Sequence, residues 1–147
     1  MDYDGPALEH LPRDVCIRLM ASVPVGRIVY TRQALPAVEL VNFALHSGDI
    51  IIRTDAGSKL AAATQGTVVA FEADSVDVAG HAGWSVTIVG QARAVTDSEE
   101  IRDLEQIALT AWAPGKQDHY IRISPAIVHG RRLGAKQRKA GSDARRI

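Results

Sequence analysis

The feature that most constrains the fold is a succession of segments rich in Val, Ile and aromatic residues, separated by short connections. Such residues favour strands, and the predicted strands are 25–31, 36–46, 50–54, 67–74, 84–95 and 120–133. Helical spacing is confined to 12–22, to a run from Ser58 and to 97–110. The mostly sequential hairpin order predicts a mainly β fold with flanking helices (α+β), in which an antiparallel sheet closes into a small barrel.

Local signals mark how the strands are joined. Residues 47–49 read Ser-Gly-Asp and predict a tight hairpin, whereas 75–82 is predicted to be a loop. Gly90 predicts a bulge or a bend within its strand. Asp97 and Glu100 form a capping-box pattern at the start of the last helix. Each of these signals involves residues that are close together in sequence. They therefore predict individual helices, strands and turns but not which strands pair.

Composition indicates one globular domain, predicted over residues 1–133 of the 147-residue chain. Lys and Arg balance Asp and Glu at 17 each, so no overall field points to nucleic acid or an anionic membrane. A single cysteine, Cys16, and the lack of a signal or membrane-spanning pattern predict a cytoplasmic protein with a packed thiol. Residues 134–147 are basic and predict a flexible, solvated tail, with contact to an anionic partner as the alternative.

The stretch 50–60 carries the clearest chemical pattern. A strand of three isoleucines leads into Arg53 and Thr54, and Ser58 and Lys59 follow a short turn at the start of a predicted helix. A guanidinium, two hydroxyls, an ammonium and helix N–H groups together suit a phosphate monoester. The same residues also fit a solvated strand–turn–helix corner.

Other polar residues give weaker signals. The histidines are scattered, without the spacing of a metal site, so no metal is predicted. Glu72 and Asp74 fall on one face of a strand, where a solvent-facing row and a role in proton transfer are both open. Doubly wound folds that bind dinucleotides alternate strands with helices and carry a glycine-rich turn. Neither pattern is present in this sequence.

Several segments, in order and with compatible gaps, resemble the pyridoxamine 5′-phosphate oxidase-like family of split β-barrel flavoproteins. The resemblance covers about residues 11–133 and is carried by 25–29, 40–43, 52–54, 57–60, 69–74, 83–86, 89–92 and 127–132. It implies a split β-barrel of the type that binds flavin mononucleotide (FMN), and a homodimer with the flavin in a groove between the two barrels.

The resemblance also implies roles for individual residues. Arg53, Ser58 and Lys59 would bind the flavin phosphate, and Thr54 would lie near the ribityl chain or the ring edge. The flavin ring would be lined by Val41, Asn42, Trp84 and Ser85, and Trp112 would come from the other subunit.

The resulting prediction is a flavin-dependent oxidoreductase that acts on a small-molecule substrate, with hydride or electron transfer supplied by FMN and no catalytic side chain assigned. The full set of substrate-phosphate ligands of a true pyridoxamine phosphate oxidase is missing, so that activity is not expected. The alternative is a non-catalytic protein that carries flavin, the deazaflavin F420 or haem.

Overall fold

The computed structural model describes residues 7–55, 59–107 and 119–134 of the chain. Within these ranges the strands are β1 (Ala7–Leu11), β2 (Val25–Arg32), β3 (Leu35–His46), β4 (Asp49–Thr54), β5 (Val68–Asp77), β6 (Ala82–Ala94) and β7 (His119–Gly134). The helices are α1 (Arg13–Ala21), α2 (Lys59–Thr64) and α3 (Ser98–Glu105). The mainly β composition predicted from the sequence is confirmed.

The strands form one antiparallel sheet that closes on itself. They pair in the order β1–β7–β4–β3–β2–β5–β6, and β6 also pairs with β7. The long strand β7 makes this possible, because its first half pairs with β4, its second half with β1, and its other edge with β6 along almost its whole length. Closure satisfies the backbone edges that a flat sheet of this kind would expose, and the predicted barrel is confirmed.

The core fills the inside of the barrel through alternation along several strands, although the three consecutive isoleucines of β4 are all buried. On β5, for example, Val69, Phe71 and Ala73 are buried, whereas the residues between them face outward. The Phe71 ring packs edge-on against Phe43, with 4.7 Å between ring centroids. Aromatic pairs in this geometry contribute about 0.5–1.5 kcal/mol beyond their buried area. The alternation therefore fixes which side chains of each strand remain available on the outer face.

Helix α1 packs against the barrel through Cys16 and Met20, both fully buried. A Cβ atom at Gly130 on β7 would collide with the Cys16 Sγ atom, so glycine at that position allows the close approach of the helix. Burial raises the pKa of the Cys16 thiol. The predicted packed thiol is therefore confirmed.

Some predicted boundaries are wrong. The loop predicted at 75–82 is shorter in the structure, because β5 continues to Asp77 and β6 already begins at Ala82, which leaves a turn at 78–81. Helix α3 ends at Glu105, short of the predicted residue 110, although its predicted cap is confirmed: the Asp97 carboxylate accepts a hydrogen bond from the Glu100 N–H at 3.0 Å. The expected bulge is present as a register shift between Val89 and Gly90 against β7. Strand β1 was not predicted.

Two further predictions concern the C-terminal tail and membrane-spanning segments. The predicted tail begins at Gly134, the last residue of β7, and residues 135–147 lie outside the described part of the chain. Among the residues that the structure describes, no helix has the length and apolar character needed to cross a bilayer.

Candidate functional site

The strand–turn–helix corner predicted to bind phosphate is formed by the end of β4 and the start of α2. Arg53 lies on the outward face of β4 and is half-buried, and Lys59 opens α2 and is exposed. Thr54 points inward and is buried, and its hydroxyl donates to the Asp55 carbonyl at 3.3 Å. Ser58 lies outside the described residues. Two cationic side chains thus flank this corner.

Arg53 has a specific aromatic neighbour that the sequence did not reveal. Its direct cross-strand partner on β7 is Tyr120, and the guanidinium carbon lies 5.9 Å from the centre of the Tyr120 ring. A cation within about 6 Å of an aromatic face is attracted by the ring. Tyr120 is buried in an outer cluster with Ile51, Val95 and Leu104. The side chain of Arg53 therefore has a fixed aromatic surface beside it.

The predicted ring-lining residues of β3 lie next to this corner. The β3–β4 pairing runs from the hairpin to Phe43 opposite Ile52, so Asn42 and Arg53 are the next residues on the two strands. Both Val41 and Asn42 are half-buried, and Val41 packs against the barrel core. The structure thus brings the β3 and β4 groups of predicted flavin contacts together at one place on the barrel.

Trp84 and Ser85 occupy a different part of the same barrel. They pair with Ser75 and Asp74 on β5, and strands β2 and β5 separate them from β3. Trp84 is half-buried and packs against the core, as an indole at the start of a barrel strand usually does. Trp112, the predicted contribution of another subunit, lies outside the described residues. Within one chain, the predicted contacts therefore form two separate groups.

A cluster of two carboxylates and one arginine lies next to Trp84 and Ser85. Arg27 on β2 contacts the carboxylates of Glu72 and Asp74 at 3.2 and 3.1 Å, and Asp74 is the cross-strand partner of Ser85. Burial and the neighbouring Asp74 carboxyl raise the pKa of Glu72 to about 7, against the lowering effect of Arg27. The two carboxylates do form an outward-facing row, but each is only about one-quarter exposed.

A second ion-pair cluster fastens α3 to the barrel. Arg122 on β7 contacts Asp49 at 2.7 Å and Glu100 at 2.8 Å, and Arg93 makes a bidentate contact with Glu100 at 3.2 and 2.7 Å. The hydrogen bond from Arg93 is the largest of the effects that lower the pKa of Glu100. These contacts hold α3 over Tyr120 and its cluster.

The histidines contribute one close pair. The rings of His10 on β1 and His129 on β7 are 5.7 Å apart and tilted by 50°. In the described ranges, no three His, Cys, Asp or Glu side chains are grouped so that they could hold a metal ion. Sequence alone could not suggest this pair, because β1 was not predicted.

Comparison with known proteins identifies the family whose model this chain matches. A family model described as pyridoxamine 5′-phosphate oxidase matches residues 12–132. The chain is 40% identical over 133 residues to the uncharacterized protein Rv0080 of Mycobacterium tuberculosis, covering 87% of both chains.

Solved structures agree with the family match. The FAD binding protein of Mycobacterium smegmatis superposes with a TM-score of 0.74 at 33% identity, covering 87% of this chain and 99% of the other. The FAD and heme binding protein of Mycobacterium smegmatis has a TM-score of 0.68 at 13% identity, covering 94% and 80%, and shares the fold.

Proposed function

Because the chain belongs to the pyridoxamine 5′-phosphate oxidase family, we propose that it is a dimeric flavin-dependent oxidoreductase that binds FMN at the β4–α2 corner. The observation that carries the proposal is the position of Arg53. A half-buried guanidinium at the end of a barrel strand lies next to the strand that carries Asn42 and close in sequence to Lys59. Its aromatic neighbour Tyr120 adds an ordered surface beside it.

The donors present fit a terminal phosphate. Arg53 offers a planar fork of N–H donors, and Lys59 offers a compact charge at the start of α2. Ser58, which the sequence places directly before Lys59, would add a hydroxyl. A phosphate ester at this corner would meet several charge-assisted donors, as the sequence predicts.

The remaining predicted contacts would hold the flavin ring. Asn42 can both donate to and accept from the pyrimidine end. Val41, whose side chain packs against the barrel core, would line the ring through its backbone. Trp84 and Ser85 would contact the flavin from β6, and Thr54 would lie near its ribityl chain. When bound, the flavin supplies hydride or electron transfer, and the side chains of this protein bind and orient it.

The homodimer is supported by an apolar row on the outer face of the barrel. Cross-strand pairing aligns Val38, Val29, Ala70, Val89 and Ile127 across neighbouring strands. The two end members of this row, on β3 and β7, are each more than half exposed. A contiguous apolar strip of this kind is typical of a surface covered by another protein. A second copy of the chain would cover it by two-fold pairing, which is the commonest arrangement of soluble oligomers.

The identity of the cofactor is the part of the proposal that needs a direct comparison of ligands. Similar structures include one protein named for FAD and one named for FAD and heme. We propose FMN because its phosphate group is terminal and can bind the cationic side chains and N–H donors of the β4–α2 corner. F420, FAD and haem are the competing ligands.

The test is a fluorescence titration of the purified protein with FMN and with riboflavin, which lacks the phosphate. Replacing Arg53 or Lys59 with Ala should each weaken FMN binding by about 1.5–3 kcal/mol, the contribution of a hydrogen bond to a charged group. Riboflavin affinity should be unaffected by either change. Arg102→Ala, an exposed arginine on α3, is the matched control and should bind FMN like the unchanged protein.

Equal affinity for FMN and riboflavin in the unchanged protein would refute the anchor. Tighter binding of F420 or haem would keep the fold and replace the cofactor. Photoreduction of the bound flavin followed by reoxidation with small-molecule acceptors then separates an oxidoreductase from a carrier. Absence of any accelerated reoxidation relative to free flavin would favour the carrier.

A further inference from the structure

Tyr120 stands out because it is buried and polar yet belongs to no predicted site. It is the cross-strand partner of Arg53, with the guanidinium carbon 5.9 Å from its ring centre. Only 5% of Tyr120 is exposed. The face of a fixed aromatic ring therefore adjoins the cation that the proposed function assigns to the phosphate.

The ring of Tyr120 is held from outside the barrel. It packs in a cluster with Ile51, Val95 and Leu104. The backbone carbonyl of Tyr120 accepts a hydrogen bond from the Val95 N–H at 2.9 Å, which fixes the backbone from which the ring extends. Leu104 belongs to α3, which Glu100 fastens to two arginines of the barrel. The ring thus has little freedom to move away from Arg53.

An aromatic ring in this position would restrict the conformations of the Arg53 side chain without occupying its N–H donors. A cation–π contact is made by the positive charge and the ring face, whereas phosphate recognition uses the N–H donors. An unrestrained arginine samples many rotamers, and ordering them on binding weakens the complex. An arginine already held against a ring loses less freedom when the anion arrives.

We infer that Tyr120 is a positioning residue that orders the Arg53 guanidinium for a phosphate monoester. The inference rests on the proposed function, since it assigns Arg53 to the flavin phosphate. It adds a residue on β7 and, through it, links helix α3 to the anion-binding corner. Tyr120 contacts the arginine and is not assigned any contact with the ligand.

The decisive quantity is the ratio of the riboflavin dissociation constant to the FMN dissociation constant, because it isolates the phosphate. Tyr120→Leu should lower this ratio by about 3- to 10-fold, the range expected when one flexible side chain has to be ordered on binding. Tyr120→Phe keeps the ring and should leave the ratio near that of the unchanged protein. Tyr30→Leu is the matched control, because Tyr30 is equally buried but lies inside the barrel on β2.

A double variant tests whether Tyr120 acts through Arg53. If it does, Tyr120→Leu should lower the ratio no further once Arg53→Ala is present. An unchanged ratio in Tyr120→Leu, with Arg53→Ala still lowering it, would overturn the inference and leave the proposed function standing. If Arg53→Ala itself leaves the ratio unchanged, or if FMN does not bind, the proposed function fails and the inference fails with it.

A shape-conserving change covers the case in which Tyr120→Leu does not fold. Pentafluorophenylalanine at position 120 keeps a ring of similar size but reverses the charge on its face. The ratio should fall relative to Tyr120→Phe. Equal ratios in these two proteins would show that the ring contributes only packing and would overturn the inference.

Discussion

Replacing Glu72 with Gln should make the protein more stable at pH 8 and change its stability little near pH 4.5. The reason is that the pKa of Glu72 is raised from 4.5 to about 7 by burial and by the adjacent Asp74 carboxyl. A carboxyl group whose pKa is higher in the folded state favours folding most when it is protonated in both states, below pH 4.5. As the pH rises to about 7, the unfolded chain loses its proton first, and stability falls.

The size of the effect follows from the difference between the two pKa values. A shift from 4.5 to about 7 corresponds to at most about 3.5 kcal/mol, at about 1.4 kcal/mol per unit. Glu72 and Asp74 are 26% and 27% exposed, so solvent weakens both the burial effect and the carboxyl–carboxyl repulsion that raise this pKa. We therefore expect Glu72→Gln to gain about 1–2 kcal/mol at pH 8. The amide has nearly the shape of the protonated acid and removes the titration.

The assay is urea unfolding of both proteins at pH 4.5, 6 and 8, with the free energy of unfolding extrapolated to water. Glu105→Gln, at an exposed glutamate at the end of α3, is the matched control for replacing one carboxyl group with an amide. The gain from Glu72→Gln should grow between pH 4.5 and pH 7 and then level off. A difference that is the same at all three pH values would refute the reasoning.

Two other substitutions test the remaining features of the outer face. Arg122→Met should lower the free energy of unfolding by about 2–3 kcal/mol, because it removes an 11% exposed partner of two carboxylates. Urea unfolding measures this loss. A loss no larger than that caused by Arg131→Met, at an exposed arginine, would contradict the prediction. Ile127→Glu should reduce the mass measured by sedimentation from two chains to one, since it places a charge in the apolar row of the proposed dimer. Val78→Glu, at a residue that is 79% exposed against 60% for Ile127 but lies in the β5–β6 turn, should stay dimeric. A dimeric Ile127→Glu would exclude this row as the interface.

Elements that depend on neighbours in sequence were predicted well. The Ser-Gly dipeptide at 47–48 signals a turn with positive φ angles, and both residues have them, at 52° and 82°. The turn between β2 and β3 has the same geometry at Gln33 and Ala34, with φ angles of 51° and 65°. Neither residue type favours positive φ, so the sequence predicted a short connection between the strands at 25–31 and 36–46 but not this turn geometry. There the pairing of the two long strands determines the backbone.

Contacts between distant segments could not be predicted in the same way. Arg27 and Glu72 are 45 residues apart, and only the β2–β5 register brings them together. Strand β1 is short and pairs only with the end of β7, so no local pattern marked it. Register depends on the whole barrel, because a shift of one residue would reverse the inward and outward faces of a strand.

The strand–turn–helix corner predicted to bind phosphate combines these two kinds of information. Its residues were found from a local pattern, but β7 holds both ends of the strand that carries them. Arg122 contacts Asp49 at the start of β4, and Tyr120 contacts Arg53 near its end. The β4–β7 pairing is also one of the pairings that close the barrel. The geometry of Arg53 is therefore a consequence of barrel closure, and a peptide containing only residues 50–60 would have the donors without their arrangement.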